Sequence, residues 1–239
     1  MLRVDVVIPA LNEEQALPLV LRELPWALVR RVVVADNGST DRTASVAREH
    51  GAEVVHEPER GYGAACLKAL GHLRADPPDV VVFLDGDHAD DATQLAELLA
   101  PIACGDADLV LGSRVRGAAR GALTPQQRAG NAVACAALRV LYGVRYTDLG
   151  PFRAIRWDAL EALQMNDRNY GWTVEMQIKA AQQQLRHHEV AVRYRPRVGT
   201  SKVSGTVRGT LGASYKILLL LGRYALPGAR AKGAAPAAP

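Results

Sequence analysis

The feature that most constrains this chain is a series of short, mainly apolar runs separated by segments with helical spacing. Val4–Ile8, Arg31–Ala35, Glu53–His56, Val80–Leu84 and Asp108–Gly112 read as strands. Most are runs of apolar residues rather than apolar–polar alternations. A strand apolar on successive residues is buried on both faces, which is the situation inside a parallel sheet covered by helices. The intervening segments 13–29, 42–50, 63–73 and 92–103 carry the 3.6-residue spacing of such helices. Pro18 and Pro25 predict that the first is kinked or ends early, and Pro9 is expected to end the first strand. The expected fold class is therefore α/β, a mostly parallel central sheet sandwiched by helices.

The second half is less regular. Pro125–Tyr142 reads as a long helix, Thr147–Ile155 as a turn and short strand, Gly171–Gln184 as a helix and Glu189–Arg195 as an alternating strand. A small-residue loop at 199–205, an amphipathic helix at 207–226 and a disordered Ala/Pro/Gly tail from 227 complete the reading. The expected organisation is one domain over 1–205, in two halves (1–116 and 117–205), then helix 206–226 and tail 227–239. Length permits this, since 239 residues make one large domain with an appendage.

Charge is distributed unevenly. The net charge is only +4, but residues 114–156 hold eight arginines and one acid, Asp148, and residues 193–208 hold four arginines, one lysine and no acid. Arg outnumbers Lys by 24 to 5, and arginine suits bidentate contacts to phosphate. A phosphate-bearing ligand fits this asymmetry; a solvated basic surface is the plainer alternative. A nucleic-acid binder is disfavoured, because aromatics are only 5% and no recognition motif is present. The three cysteines, Cys66, Cys104 and Cys135, are too few and too scattered for a disulfide framework or zinc site, and read as core residues in a reducing compartment. The opening residues lack the basic, apolar, small-residue pattern of a signal sequence, so none is expected, and no apolar stretch reaches the roughly 18 residues of a spanning helix. The expected location is cytoplasmic, with peripheral contact at the inner membrane face through 207–226. Packing of that helix on the catalytic domain or a second subunit, as in a homo-oligomer, is the competing reading.

The sharpest chemical signal is Val80-Val-Val-Phe-Leu-Asp85-Gly86-Asp87, two carboxylates one residue apart where an apolar strand runs out. Ligands of open α/β sheets bind beyond the carboxyl ends of strands, and two acids converging there repel unless a cation or proton intervenes. Mg²⁺ or Mn²⁺, hard ions taking oxygen ligands, fit that requirement. A solvated turn is the bland alternative. An EF-hand loop fails at Ala89, and a phosphatase using Asp85 as nucleophile is disfavoured by the same residue and by the motif's distance from the N-terminus. Two polar loops would share that edge, Pro9-Ala10-Leu11-Asn12-Glu13-Glu14 and Asp36-Asn37-Gly38-Ser39-Thr40-Asp41. Their polar groups suit a base edge or ribose, or merely cap helices. No Gly-x-Gly-x-x-Gly follows the first strand, which disfavours a dinucleotide site. Gly61 and Gly63 read as a turn of close approach.

Taken in order, VVIPALNEE, VVVADNGSTD, RGYGAACLKAL, FLDGDHADD and DLVLGSR resemble the family 2 glycosyltransferases with the nucleotide-binding fold called GT-A. TDLGPFRAI, YGWTVEMQIKA and RVGTSKVSG resemble the branch of dolichyl-phosphate mannosyltransferase and its glucosyl relatives. The resemblance covers residues 4–205 and implies that the domain 1–205 is catalytic, with a nucleotide-sugar-binding half (1–116) and an acceptor-side half (117–205). It implies an inverting, metal-dependent transfer of hexose from a nucleoside-diphosphate sugar, GDP-mannose or UDP-glucose, to a polyprenyl or dolichyl lipid phosphate; a soluble hydroxyl acceptor is the alternative. It further implies that Pro9, Ala10, Leu11, Asn12, Glu13 and Asp36 line the nucleoside pocket, with Gly61 and Gly86 nearby, and that Asp85 and Asp87 hold the metal. Arg114, Arg128, Ser201 and Lys202 would contact phosphates, and Asp148 and Glu175 would lie near the sugar as possible bases. The relatives commonly carry Asp-Ala-Asp-Leu-Gln-His at the metal site; His88, Ala89 and Asp90 stand here instead, so the Gln is absent.

Overall fold

The computed structural model describes residues 2–199. The chain runs β1 (Val4–Ala10), α1 (Leu17–Glu23), β2 (Arg31–Asp36), α2 (Thr43–Glu49), β3 (Glu53–His56), α3 (Tyr62–Leu73), β4 (Val80–Phe83), α4 (Leu95–Ala103), β5 (Leu109–Ser113), α5 (Pro125–Tyr142), β6 (Arg153–Arg156), α6 (Trp157–Leu163), α7 (Trp172–Gln182) and β7 (His187–Ala191). The expected helix, turn and tail beyond residue 199, with Ser201 and Lys202, lie outside the described residues.

One seven-stranded sheet, ordered β3-β2-β1-β4-β6-β5-β7, forms the middle layer. Every ladder is parallel except those of β6, which runs antiparallel to β4 and β5. The continuous apolar runs are explained by burial on both faces. Val7, Val33, Val81, Phe83 and Leu111 face a core shared with α3, α5, α6 and α7. Val6, Ile8, Val32, Val34, Val80 and Val82 face the opposite core with α1 and α4. The reversal of β6 follows from its entry point: Asp148 is tied to Arg114 at the carboxyl end of β5, so the chain enters β6 there and returns.

Local chemistry sets the element ends. Pro9 does not terminate β1; it pairs in register with Ala35. Its missing N–H faces the β4 side, beyond the last β1–β4 pair, Val7 and Phe83, so no ladder bond is lost. Pro18 sits in the first turn of α1, and Leu24, extended before Pro25, ends it. The expected strand at 189–195 instead spans His187–Ala191. Arg193, Arg195 and Arg197 therefore lie beyond it rather than on one strand face. Helix α6 escaped sequence reading because it starts directly at the end of β6, without an intervening turn. Cys66 and Cys135 are buried, but Cys104 is exposed after α4, contrary to the core assignment.

Gly61 and Gly63 are fixed by contact with the 167–169 segment. A Cβ on Gly63 would lie 1.9 Å from the Asp167 carbonyl oxygen, and one on Gly61 2.1 Å from that of Arg168. This confirms the close-approach turn and clamps the start of α3 beside the start of α7. Gly63→Ala should destabilise the fold by about 1–3 kcal/mol through overpacking. Gly71→Ala, in the same helix with open space around it, should stabilise by roughly 0.5–1 kcal/mol. Urea unfolding of the two variants checks the contrast.

Candidate active site

Strand order reverses between β1 and β4, the place where an open α/β sheet forms a crevice. A cleft of about 470 Å³ opens there. Its floor is the loop after β1 (Pro9, Ala10, Leu11, Glu13) and the loop after β4 (Asp85, Gly86, Asp87). Arg60, Gly61 and Tyr62 form one wall, and Arg114, Gln127, Tyr194 and Arg197 another. Most residues expected at a donor site thus meet in one cavity.

The two aspartates have different partners. The Tyr62 hydroxyl donates to Asp85 Oδ1 at 3.0 Å. Burial, and then the neighbouring Asp87 charge, push the Asp85 carboxyl up to about 7, while the Tyr62 bond acts in the opposite direction. Asp87 is 4% exposed; its Oδ1 accepts from the Ala89 amide at 3.0 Å and its Oδ2 pairs with the Arg197 guanidinium at 2.6 Å. His88, in the left-handed region at φ 61°, turns away to Glu23 at 3.0 Å. Arg195 with His88 holds the Glu23 carboxyl down at about 2. Asp90 is 2% exposed, with no hydrogen-bond partner for either oxygen among the described residues. Burial and the Asp85 charge raise its carboxyl well above the ordinary range.

The polar loops are stapled to each other. Asn12 Oδ1 accepts from the Thr40 amide at 2.8 Å, the Asn12 amide donates to Ser39 Oγ, and the Glu13 amide to Thr43 Oγ1. Asp36 accepts from the Ser39 amide and faces His56 Nδ1 at 3.2 Å. Asn12 and Asp36 therefore shape the loops beside the cleft and do not line it, whereas Asn37 does. Arg128 is exposed on α5, one residue from the lining Gln127.

Both expected carboxylate bases are engaged elsewhere. Asp148 is 1% exposed, and Arg114 binds its carboxylate through the backbone amide (2.7 Å), Nε (2.8 Å) and Nη2 (2.7 Å). The Arg114 guanidinium lies 5.1 Å from the centre of the Tyr194 ring, a cation–π distance. Asp148 thus orients an arginine of the cleft wall. Glu175, also 1% exposed, accepts from the Asn166 and Asp167 amides and pairs with Lys179 at 2.8 Å. It braces the 166–167 turn and is not among the lining residues. Arg193 and Arg195 pair with Asp91 and Glu23, the Arg193 side chain remaining largely in solvent. Trp172 packs edge-on against Phe83, with ring centres 5.7 Å apart, and with the half-exposed Tyr170 still reaches the cleft.

Sequence reading missed Arg60, Tyr62, Gln127 and Tyr194 as wall residues. Tyr62 was hidden between two glycines, and Tyr194 between arginines. Gln127 had a readable signal in Thr124-x-x-Gln127, the capping box that fixes the start of α5 next to the cleft.

The sequence matches the family described as glycosyl transferase family 2 over residues 5–163. The chain belongs to that family. It is 42% identical over 209 residues to an uncharacterized glycosyltransferase of Mycobacterium tuberculosis, covering 87% of this chain and 93% of that protein. It is 32% identical over 225 residues to an undecaprenyl-phosphate mannosyltransferase of Micrococcus luteus (87% and 90% covered) and 34% identical over 202 residues to a dolichyl-phosphate hexose transferase of Haloferax volcanii (83% and 85%). Its fold matches glucosyl-3-phosphoglycerate synthase of M. tuberculosis, solved in complex with Mn²⁺, UDP and glucosyl-3-phosphoglycerate, with TM-score 0.74 and 25% identity over 95% of this chain and 81% of that one. This family 2 glycosyltransferase has the GT-A architecture expected from its motifs. No helix among the described residues is long and apolar enough to cross a membrane.

The raised Asp85 carboxyl has a consequence for the metal-free enzyme. An acid with a folded-state pKa above its unfolded value binds more protons folded than unfolded, so its contribution to stability falls as pH rises from about 4 to about 7. Asp85→Asn should remove this slope and stabilise the apo protein at pH 8 by about 1 kcal/mol or more. Thermal unfolding in chelator at pH 5 and pH 8 measures it.

Proposed function

We propose that this enzyme transfers a hexose from a nucleoside-diphosphate sugar to a polyprenyl-type lipid phosphate, inverting the anomeric configuration, with Asp85 and Asp87 as the protein ligands of a Mg²⁺ or Mn²⁺ ion. The donor chemistry fits a metal. Both ligands are hard oxygens; among the described residues the Asp85 carboxylate has one hydrogen bond, from the Tyr62 hydroxyl, while Asp87 pairs with Arg197. No cluster of three or more metal-binding side chains exists among the described residues. Two carboxylates, with the remaining positions left to water and phosphate oxygens, is the manner in which Mg²⁺ is commonly bound. When bound, the ion neutralises charge on the leaving diphosphate.

The protein's own groups supply the rest. Arg114, fixed by Asp148, and Arg197 face the cleft as oriented cations that strengthen their hold as negative charge grows on the leaving group. The anomeric carbon loses its bond to the diphosphate oxygen as it gains one to the acceptor. The observation that carries the lipid-phosphate reading is the engagement of Asp148 by Arg114 and of Glu175 by two amides and Lys179. A hydroxyl acceptor must lose a proton to a base, and neither candidate has an oxygen turned to the cleft. An acceptor phosphate arrives already ionised and needs no such base. The Micrococcus and Haloferax relatives, named for lipid-phosphate acceptors, lend support. The soluble-acceptor alternative draws on the neighbour that acts on phosphoglycerate.

The test is a thermal-shift screen of UDP- and GDP-sugars with Mn²⁺, followed by transfer of radiolabelled hexose to a short polyprenyl phosphate and to 3-phosphoglycerate. Label on the prenyl phosphate alone is expected; label on 3-phosphoglycerate alone contradicts the reading. Asp87→Ala should lower turnover at least 100-fold, about 2.7 kcal/mol, with the protein still folded by circular dichroism. Turnover within a few-fold of wild type would remove the metal assignment.

A further inference from the structure

Helix α5 is apolar on two opposite sides. One side, with Ala134, Cys135 and Leu138, is buried in the core. The other presents Ala129, Ala132, Val133, Ala136 and Val140 to the exterior, all exposed. Val133 is 58% and Val140 83% exposed. At 100° per residue these five positions form one stripe, flanked along one edge by Arg128 and Arg139, the only charged residues of the helix. A solvent-facing helix side normally carries charged and polar residues. This one carries none in its centre.

The exposed charge in the stretch of chain that carries the stripe has one sign. Arg116, Arg120, Arg128, Arg139 and Arg145 are exposed, and none forms an ion pair among the described residues. Arginines elsewhere, such as Arg74, Arg168 and Arg186, are matched to carboxylates. No Asp or Glu occurs between Asp108 and Asp148. The helix is also anchored at the cleft: Gln127, in its first turn, lines the wall beside Arg114. From there the stripe runs about 17 Å along the surface, from Ala129 to Val140.

We propose that the outer face of α5 is a docking surface for an anionic lipid bilayer, with the Val133–Val140 stripe in the headgroup–acyl boundary and the flanking arginines on lipid phosphates. Apolar area and unpaired basic side chains together are what interfacial helices use. The acidic surface this field excludes is the kind another region of this chain would offer. The inference deepens the lipid-phosphate reading and takes its purpose from it: a docked α5 brings the cleft mouth to the membrane from which a prenyl phosphate must be drawn.

The full-length chain is tested by co-sedimentation with vesicles of phosphatidylcholine alone or with 30 mol% phosphatidylglycerol (about a third of the lipid, enough for a negative surface potential). Val133→Ser/Val140→Ser is the variant, since it changes no charge and both side chains are exposed. The wild type should bind the anionic vesicles, and the variant at least tenfold more weakly. Its melting temperature and its transfer to a short, water-soluble prenyl phosphate should be unchanged, while transfer to a long-chain prenyl phosphate in those vesicles falls. Equal binding by variant and wild type overturns the proposal. So does conversion of a dimer to a monomer by the variant, which would make the face a contact between copies, or a large drop in melting temperature without loss of vesicle binding, which would make it a seat for residues 200–239. Lack of transfer to any prenyl phosphate, with vesicle binding still lost in the variant, refutes the acceptor assignment and leaves the docking surface standing.

Discussion

Two carboxylates forced together at the end of a buried strand dominate this molecule. β4 is apolar throughout because both its faces are covered, and Asp85 and Asp87 stand where it ends. Moving such charges out of water is costly unless something compensates. The surroundings show how the cost is met. Tyr62 donates to one, Arg197 pairs with the other, and Asp85 is displaced toward its neutral form. The pair is a standing demand for positive charge, and the cleft that opens over it is lined by arginines.

The acidic residues that look catalytic in sequence serve this arrangement indirectly. Asp148 sits in Thr-Asp-Leu-Gly, a sequence compatible with either a turn or a base, and only three-dimensional structure reveals Arg114 closing on it through three hydrogen bonds. Glu175, on α7, is spent on the 166–167 turn, whose Asp167 also meets Gly63. Loss of a partner from a buried pair leaves the other charge exposed to the low-dielectric interior. Substitutions at either position therefore act first on the shape of the cleft wall.

What the sequence made legible was whatever a local pattern dictates. The continuous apolar strands foretold a doubly covered sheet, the helix after Thr124 was bounded correctly at both ends, and the Asp85–Asp87 spacing marked the crevice. What stayed hidden depends on partners distant in the chain. β6 is a four-residue strand whose direction follows from the Asp148–Arg114 tie. Arg193, Arg195 and Arg197 look like a strand face by alternation, yet each pairs with an acid from the first half of the chain. Tyr62 enters the site because two glycines let the 167–169 backbone press against α3. The double-sided apolarity of α5 was present in the sequence, but one apolar face resembles another until the fold says which is covered.

The central claim is that Asp85 and Asp87 bind diphosphate through a divalent cation. Isothermal titration of a nucleoside diphosphate into the protein, with and without Mn²⁺, tests it most directly. Binding in the wild type should be at least tenfold tighter with Mn²⁺, and Asp85→Ala and Asp87→Ala should each abolish that difference. Equal enhancement by Mn²⁺ in wild type and both variants would place the cation elsewhere and contradict the account.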